Sequence, residues 1–441
     1  MINYFVKKCV VTWNRWFIRP QKSNHNELEE MHVSETWRMR ALSKAGRIIL
    51  ENGGETYRAE DTVLRMALAL GLRDVSVFAV PSGLFISYTD ETDEQSTSVT
   101  RSHLQSIHLC RVDQVNQISR RLTSGELKPE ELLSSLEKAE KICRQLPFWF
   151  RPAMAGIIAA CFSIVFDGGP ADAVIGALCA ILTQVLSCLW KTAGISVSLL
   201  GSVFCAMLPL FFQAMTGLGT PEAMVAAAIM PLVPGLSMTN AVQDILRGDM
   251  ISGVTHAARA VMLAALIAGG TLIGTHLFGY LPLPHQPVRQ IQSVPVLWKL
   301  LLIFTGSSLG AMAFGEFLYA PRKAIFGGGL LGGVGYTFYS LVLRLGASDA
   351  VAMFLGALLA ALGGQLVARK MKMISTIFIT LAILPLVPGL GLYRAMNIIA
   401  QGQTSPGLEI AASTMASILM IALGVGCGSQ LAEVLRKREK N

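Results

Sequence analysis

The 441-residue chain is 52% hydrophobic and only 15% charged, with a mean hydropathy of +0.50, a balance that excludes an ordinary soluble globular protein. Its net charge of +8 argues for no nucleic-acid partner, because the basic residues of the apolar part lie in short connections between hydrophobic runs and not on one exposed face. Of the 37 Lys plus Arg, 21 lie at or before Arg151, and of the 29 Asp plus Glu, 19 lie before Phe150, so the last 290 residues carry only 26 charged side chains, which is bilayer composition.

Residues 1–32 form a basic and aromatic tail in which Trp13, Trp16 and Phe17 sit beside Lys7, Lys8, Arg15 and Arg19. The tail lacks an unbroken apolar core and a small-residue cleavage site, so no cleaved signal peptide is expected. Residues 33–148 read as a soluble α+β domain. Helical periods cover 34–51 and 56–70, then alternation takes over in VSVFAV from Val75, LFISY from Leu84 and STSVTR from Ser96, with PSG and TDETDEQ as turns. That pattern predicts a three-stranded meander. Helical periods return over 104–122 and 129–144, before PFWFRP brings aromatics and proline to a membrane boundary.

Beyond Arg151 the apolar runs are about 20 residues each, enough to cross a hydrocarbon layer of about 30 Å. Spans are expected near 152–167, 170–190, 195–216, 221–247 and 253–280, then near 295–315, 322–343, 349–368, 371–398 and 407–432. MPLVPGLSMTNAVQDILRGD from Met230 realigns without gaps on LPLVPGLGLYRAMNIIAQGQ from Leu384, an offset of 154 residues that also pairs Gly248 with Gly402, Gly253 with Gly407, Gly270 with Gly424 and Gly274 with Gly428. Five spans per half, in 149–281 and 282–441, put the second repeat upside down relative to the first, an arrangement common in secondary transporters with the substrate near the midplane. With a cytoplasmic amino terminus, twelve Lys and Arg fall on inner connections and the tail, against Arg289, Lys299, Arg344 and Arg394 outside, so both termini are expected in the cytoplasm.

The PLVPGL element in the fourth span of each half is the strongest physical signal. Two prolines remove backbone donors and clash with the preceding turn, so each span is expected to break over Pro231, Pro234 and Gly235, and over Pro385, Pro388 and Gly389. Unpaired backbone groups at that depth must be buried in protein or line a wet cavity, and the half-helix that follows offers N–H groups to a carboxylate. A kink that only fits helices together is the alternative. Thr239, Asn240, Gln243 and Asp244 follow the first break; Tyr393, Arg394 and Asn397 follow the second. Each is a substrate-contact candidate or a mark of a helix end. Glu316, just after an apolar run, is an interfacial carboxylate or, with Asp244, a carrier of protons. GSSLG at Gly306 and GGGLLG at Gly327 follow no strand and read as helix packing, not as a nucleophile elbow or a dinucleotide loop. The eight cysteines lack metal spacing, and neither a metal nor a cofactor is expected.

GGETYRAEDTVLRMA from Gly53, VFAVPSGLFIS from Val77 and the two PLVPGL segments resemble the bacterial threonine/serine exporter family, over roughly Thr36 to Ala432. The fold class is therefore an α-helical polytopic membrane protein of about ten spans, with an amino-terminal soluble domain. The resemblance implies the family's fused form and export of a small amino acid across the bacterial inner membrane, driven by the proton gradient. It leaves a dicarboxylate substrate, a homo-oligomer, or an enzyme or sensor built on the soluble domain as alternatives. Lipid and a small molecule are the expected partners. Of the soluble motif, Glu55, Thr56, Tyr57, Arg58, Glu60 and Asp61 match the family. Read locally, Gly53 and Gly54 end one helix and Thr56 caps the next, with Glu60 and Asp61 near its positive end.

Overall fold

The computed structural model describes residues 37–90, 93–103, 107–141, 147–192, 197–279 and 295–440. The aromatic tail, the onsets of the first and third helical periods at 34–36 and 104–106, and Arg289 lie outside the described residues. The amino-terminal α+β region, expected from its sequence to be a soluble domain and called so below, consists of α1 (Trp37–Glu51), α2 (Thr56–Ala69), β1 (Arg73–Val80), β2 (Gly83–Thr89), β3 (Gln95–Arg101), α3 (Leu109–Thr123) and, after a 3-10 turn at Pro129–Glu131, α4 (Leu132–Lys141). The sheet is the antiparallel meander β1-β2-β3 with Phe78 opposite Phe85 and Phe85 opposite Val99. Alternation along β2 buries Leu84, Ile86 and Tyr88 against α1 and α2 and leaves Phe85 on the far face.

The apolar region follows as α5 (Phe150–Val165), α6 (Pro170–Thr192), α7 (Val197–Thr216), α8 (Pro221–Ile229), α9 (Gly235–Leu246), α10 (Met250–Gly279), α11 (Val296–Phe317), α12 (Arg322–Arg344), α13 (Asp349–Met371), α14 (Ser375–Ile383), α15 (Gly389–Ala400) and α16 (Thr404–Lys440). Among the described residues, seven of these are long and apolar enough to cross a membrane, or nine if each of two bent pairs is one span; α5 is a shorter apolar helix. The bends fall at the two PLVPGL elements, 58° between Pro221–Leu232 and α9, and 40° between Ser375–Leu386 and Gly389–Ile399.

The two bends pack on one another reciprocally. A Cβ on Gly235 would lie 2.7 Å from Leu384 Cδ2 and 3.9 Å from Val387 Cγ2, while one on Gly389 would lie 3.0 Å from Met230 Sδ and 3.9 Å from Val233 Cγ2. Met230 and Leu384, Val233 and Val387, and Gly235 and Gly389 are all pairs at the 154-residue offset. Matched glycines elsewhere play matched parts. Gly270 and Gly274 of α10 press on the backbone of Leu199 and Val203 in α7, and Gly424 and Gly428 of α16 press on that of Phe354 and Leu358 in α13. After α9 and after α15 the chain turns back at Gly248 (φ +88°) and Gly402 (φ +81°), a left-handed conformation that glycine adopts without a Cβ penalty.

The soluble domain meets three connections on one face of the helical region. Thr56 reaches Asp249 after α9, the N–H groups of Leu109 and Cys110 donate to the carbonyls of Leu318 and Tyr319 after α11, and Arg120 donates to the Lys372 carbonyl after α13. The same domain therefore touches the end of α9 and, through Thr376, the start of α14, so the equivalent broken segments run in opposite directions relative to it.

Candidate functional site at the two helix breaks

Each break is made the same way. Val233 and Val387 leave the helical region (ψ 131° and 122°), Pro234 and Pro388 follow with φ −79°, and the N–H groups of Gly235 and Gly389 turn back onto the carbonyls of Val233 and Val387 at 2.9 and 2.8 Å. Pro234 and Pro388 occupy the N-cap positions of α9 and α15 and supply no side-chain cap. The void bounded by Val233, Pro234, Gly389 and Tyr393 is about 10 Å³, at the lower limit for a single water, so the crossing is closed to a substrate in this conformation.

Polar chemistry gathers one to three turns below the first break. The Thr239 hydroxyl donates back to the Gly235 carbonyl (2.9 Å), and Asn240 Nδ2 donates to the Gly53 carbonyl of the soluble domain (3.1 Å). Asp244 is fully buried, and the turn at Gly248 folds α10 back so that His256 Nε2 lies 3.7 Å from its Oδ2, beyond hydrogen-bond reach. Among the described residues, both Asp244 oxygens, His256 Nε2, Asn240 Oδ1, Gln243 Nε2 and Ser252 Oγ are buried without a hydrogen-bond partner. Such a concentration of orphaned groups in one hairpin calls for a functional account, since buried polar atoms are ordinarily satisfied. The matching hairpin of the second half carries Ile398 and Ile410 at the positions of Asp244 and His256. Packing of this hairpin thus does not require the two polar side chains.

The second break has different surroundings. Arg394 pairs with Glu222 at 3.1 Å, and both side chains are half exposed. Because Glu222 lies in the first turn of α8, at the opposite end of that bent segment from Asp249, Arg394 sits on the face away from the soluble domain. Tyr393 is buried among Met224, Ile229 and Ile267, and Asn397 is partly buried. The structure consequently does not bring Arg394 to Asp244. Glu316, in the last turn of α11, is partly buried next to the docking point where His108 stacks on Tyr319 with ring centroids 4.4 Å apart.

The soluble motif divides between two duties. Gly53 (φ +88°) and Gly54 close α1 as expected, but Thr56 does not cap α2: Glu55 occupies the cap position without a capping hydrogen bond, and the Thr56 hydroxyl donates to Asp249 Oδ2 at 2.8 Å instead. Tertiary contact takes the hydroxyl that local capping would have used. Glu55 pairs with Arg58 at 2.7 Å and accepts a hydrogen bond from the Thr376 hydroxyl of α14, while Arg58 also donates to Thr376 Oγ1 (2.9 Å) and to the Tyr57 hydroxyl (3.0 Å). Burial alone would raise the Glu55 carboxyl, yet Arg58 and Thr376 hold it below its ordinary value. Burial likewise raises the Tyr57 hydroxyl, whose ring carries the Arg247 guanidinium at 4.1 Å. Glu60 instead accepts from the Ala79 N–H (2.7 Å) and is pushed upward by burial, and Asp61 pairs with Arg65 on the surface. Thr376, Asp249 and His256 escaped the sequence reading. For His256 a signal existed, as a glycine turn between two helical periods places residues either side of it face to face.

Two family models match the chain, one described as Putative threonine/serine exporter over residues 40–278, the other as Threonine/Serine exporter, ThrE, over residues 304–430. The chain belongs to the threonine/serine exporter family. A relative from Mycobacterium tuberculosis named Probable threonine/serine exporter is 23% identical over 418 residues, covering 89% of this chain and 76% of its own. The Threonine/serine exporter of Corynebacterium glutamicum is 24% identical, covering 90% of this chain and 83% of its own. A Probable succinate transporter subunit, YjjP, of Escherichia coli is 25% identical over 258 residues, which cover 56% of this chain and 98% of the relative. No solved structure matches. These relatives of the family are exporters and transporters by name, and none is named as an enzyme.

Proposed function

We propose that the chain exports threonine and serine across the bacterial inner membrane in exchange for protons, through two inverted five-span halves, 149–281 and 282–441, whose broken helices cross at the midplane. The reading counts α5 and each bent pair as spans, ten in all, with the soluble domain and both termini in the cytoplasm. The reciprocal packing of Gly235 and Gly389 on residues 154 positions apart carries it, because two antiparallel copies of one broken segment in mutual contact are what an inverted repeat with a central path requires. The soluble motif spends its polar groups on docking, which supports a positioning role over chemistry.

Asp244 carries the proton in this reading. It is buried near Thr56 with no hydrogen bond of normal geometry among the described residues, faces His256, and lies on the half-helix that descends from the first break to the soluble domain. The amino-acid carboxylate takes the uncapped N–H groups that follow Gly235 and Gly389 once Leu384, Val387, Met230 and Val233 separate. Labelled threonine, serine and succinate offered to inside-out vesicles test the substrate: threonine and serine accumulate when the lumen is acidified. Accumulation of succinate alone would transfer the assignment to the dicarboxylate reading that the Escherichia coli relative's name suggests.

A further inference from the structure

A cleft of about 890 Å³ opens where the soluble domain overhangs the helical region, and its walls are cationic. Arg58, Arg65 and Arg120 enter from the soluble domain, Arg247 from the end of α9, and Arg369 and Lys372 from the end of α13; Glu433 of α16 is the one carboxylate in the lining. Arg58 and Arg65 are neutralised by Glu55 and Asp61. The other four form no ion pair among the described residues. Arg120 and Arg369 donate to the carbonyls of Lys372 and Ala432, and Arg247 lies on the Tyr57 ring. Carbonyl and ring contacts fix where these cations point without cancelling their charge.

Positive charge retained near the cytoplasmic face of a membrane protein is ordinary on open connections. Here it converges from three parts of the molecule onto one recess, where low-dielectric walls concentrate the field and a bound anion relieves mutual repulsion that Glu433 alone does not balance. Arginine forks match the paired oxygens of phosphate and carboxylate groups. We propose that this cleft binds a multivalent oxyanion between Arg120, Arg247, Arg369 and Lys372, and that the bound anion fastens the soluble domain to the second half of the helical region. Phosphate groups of a soluble metabolite and of an anionic lipid headgroup share this chemistry.

The full chain in nanodiscs of neutral phosphatidylcholine, titrated with pyrophosphate against sodium chloride of equal ionic strength, tests the site through the thermal midpoint. The midpoint rises saturably with pyrophosphate and not with chloride. Arg120→Gln and Lys372→Asn each raise the half-saturating concentration by about tenfold, asparagine being chosen because Lys372 has φ 54°. Glu433→Gln, which removes the opposing charge and leaves the cations in place, lowers that concentration. If pyrophosphate has no effect but nanodiscs doped with phosphatidylglycerol raise the midpoint, and the two cation variants abolish the rise, the anion is a lipid headgroup. The proposal is overturned if neither probe acts, if chloride acts equally, or if the variants respond like the unmodified protein.

Discussion

Glu55 and Arg58 show how one ion pair joins the soluble domain to the helical region. The side chain of Glu55 is 2% exposed and that of Arg58 15%, so removing Arg58 strands a buried carboxylate. Arg58→Gln is expected to cost about 3 kcal/mol, read as a lower thermal midpoint and faster proteolysis of the soluble domain, and unchanged docking would contradict the clamp. Because the Glu55 carboxyl is held below its reference value of 4.5, its contribution is complete above the unfolded value and vanishes only as pH falls through the lower folded one. Docking followed by proteolysis should therefore be flat from about pH 8 to 5 and be lost only on further acidification, as the folded carboxyl takes up its proton, whereas loss between pH 7 and 5 would show that another group controls it. Asp244→Asn should reduce threonine export at matched protein level far more than Arg394→Gln. The Arg394–Glu222 pair is half exposed, and exposed pairs are worth about 0–1 kcal/mol, so its loss is tolerated. Equal export by both variants and the unmodified protein would make Asp244 a structural residue only.

At the scale of elements, the matched helix pairs α7 with α10 and α13 with α16 depend on glycine. A Cβ at Gly270 would meet Ser202 Oγ at 2.0 Å and the Leu199 carbonyl at 2.4 Å, and one at Gly424 would meet the Phe354 carbonyl at 2.4 Å, whereas Gly269 has nothing within 4 Å. Gly270→Ala and Gly424→Ala are expected to lower stability by about 1–3 kcal/mol each and Gly269→Ala to leave the thermal midpoint unchanged. A neutral Gly424→Ala beside a damaging Gly270→Ala would mean that the two halves pack differently. Elements themselves were legible in sequence where the signal is local. Alternation marked β1, β2 and β3 to within two residues, and the paired prolines marked both bends, because a missing N–H and a ring clash act whatever surrounds them. The Thr56 cap was misread for the converse reason: its hydroxyl had a local use and a tertiary one, and only the fold shows that Asp249 wins.

Across the whole molecule, sequence made Asp244 and Arg394 each a substrate-contact candidate or a mark of a helix end, since both follow a PLVPGL break. Opposed directions of the two segments separate them, one beneath the soluble domain and the other on the far face, so a single-site reading of both was out of reach without the pairing of the breaks. What remained legible was an asymmetry of the halves at Asp244, whose counterpart is Ile398, and the fold adds His256 against Ile410 to it. In the function proposed above, that asymmetry assigns coupling to the first hairpin and binding of the amino acid to the crossing. The direct test separates coupling from binding in vesicles carrying the Asp244→Asn protein. Labelled threonine should still exchange with unlabelled threonine across the membrane but should no longer accumulate when the lumen is acidified, while unmodified protein does both. Accumulation by Asp244→Asn at the unmodified rate would contradict the account.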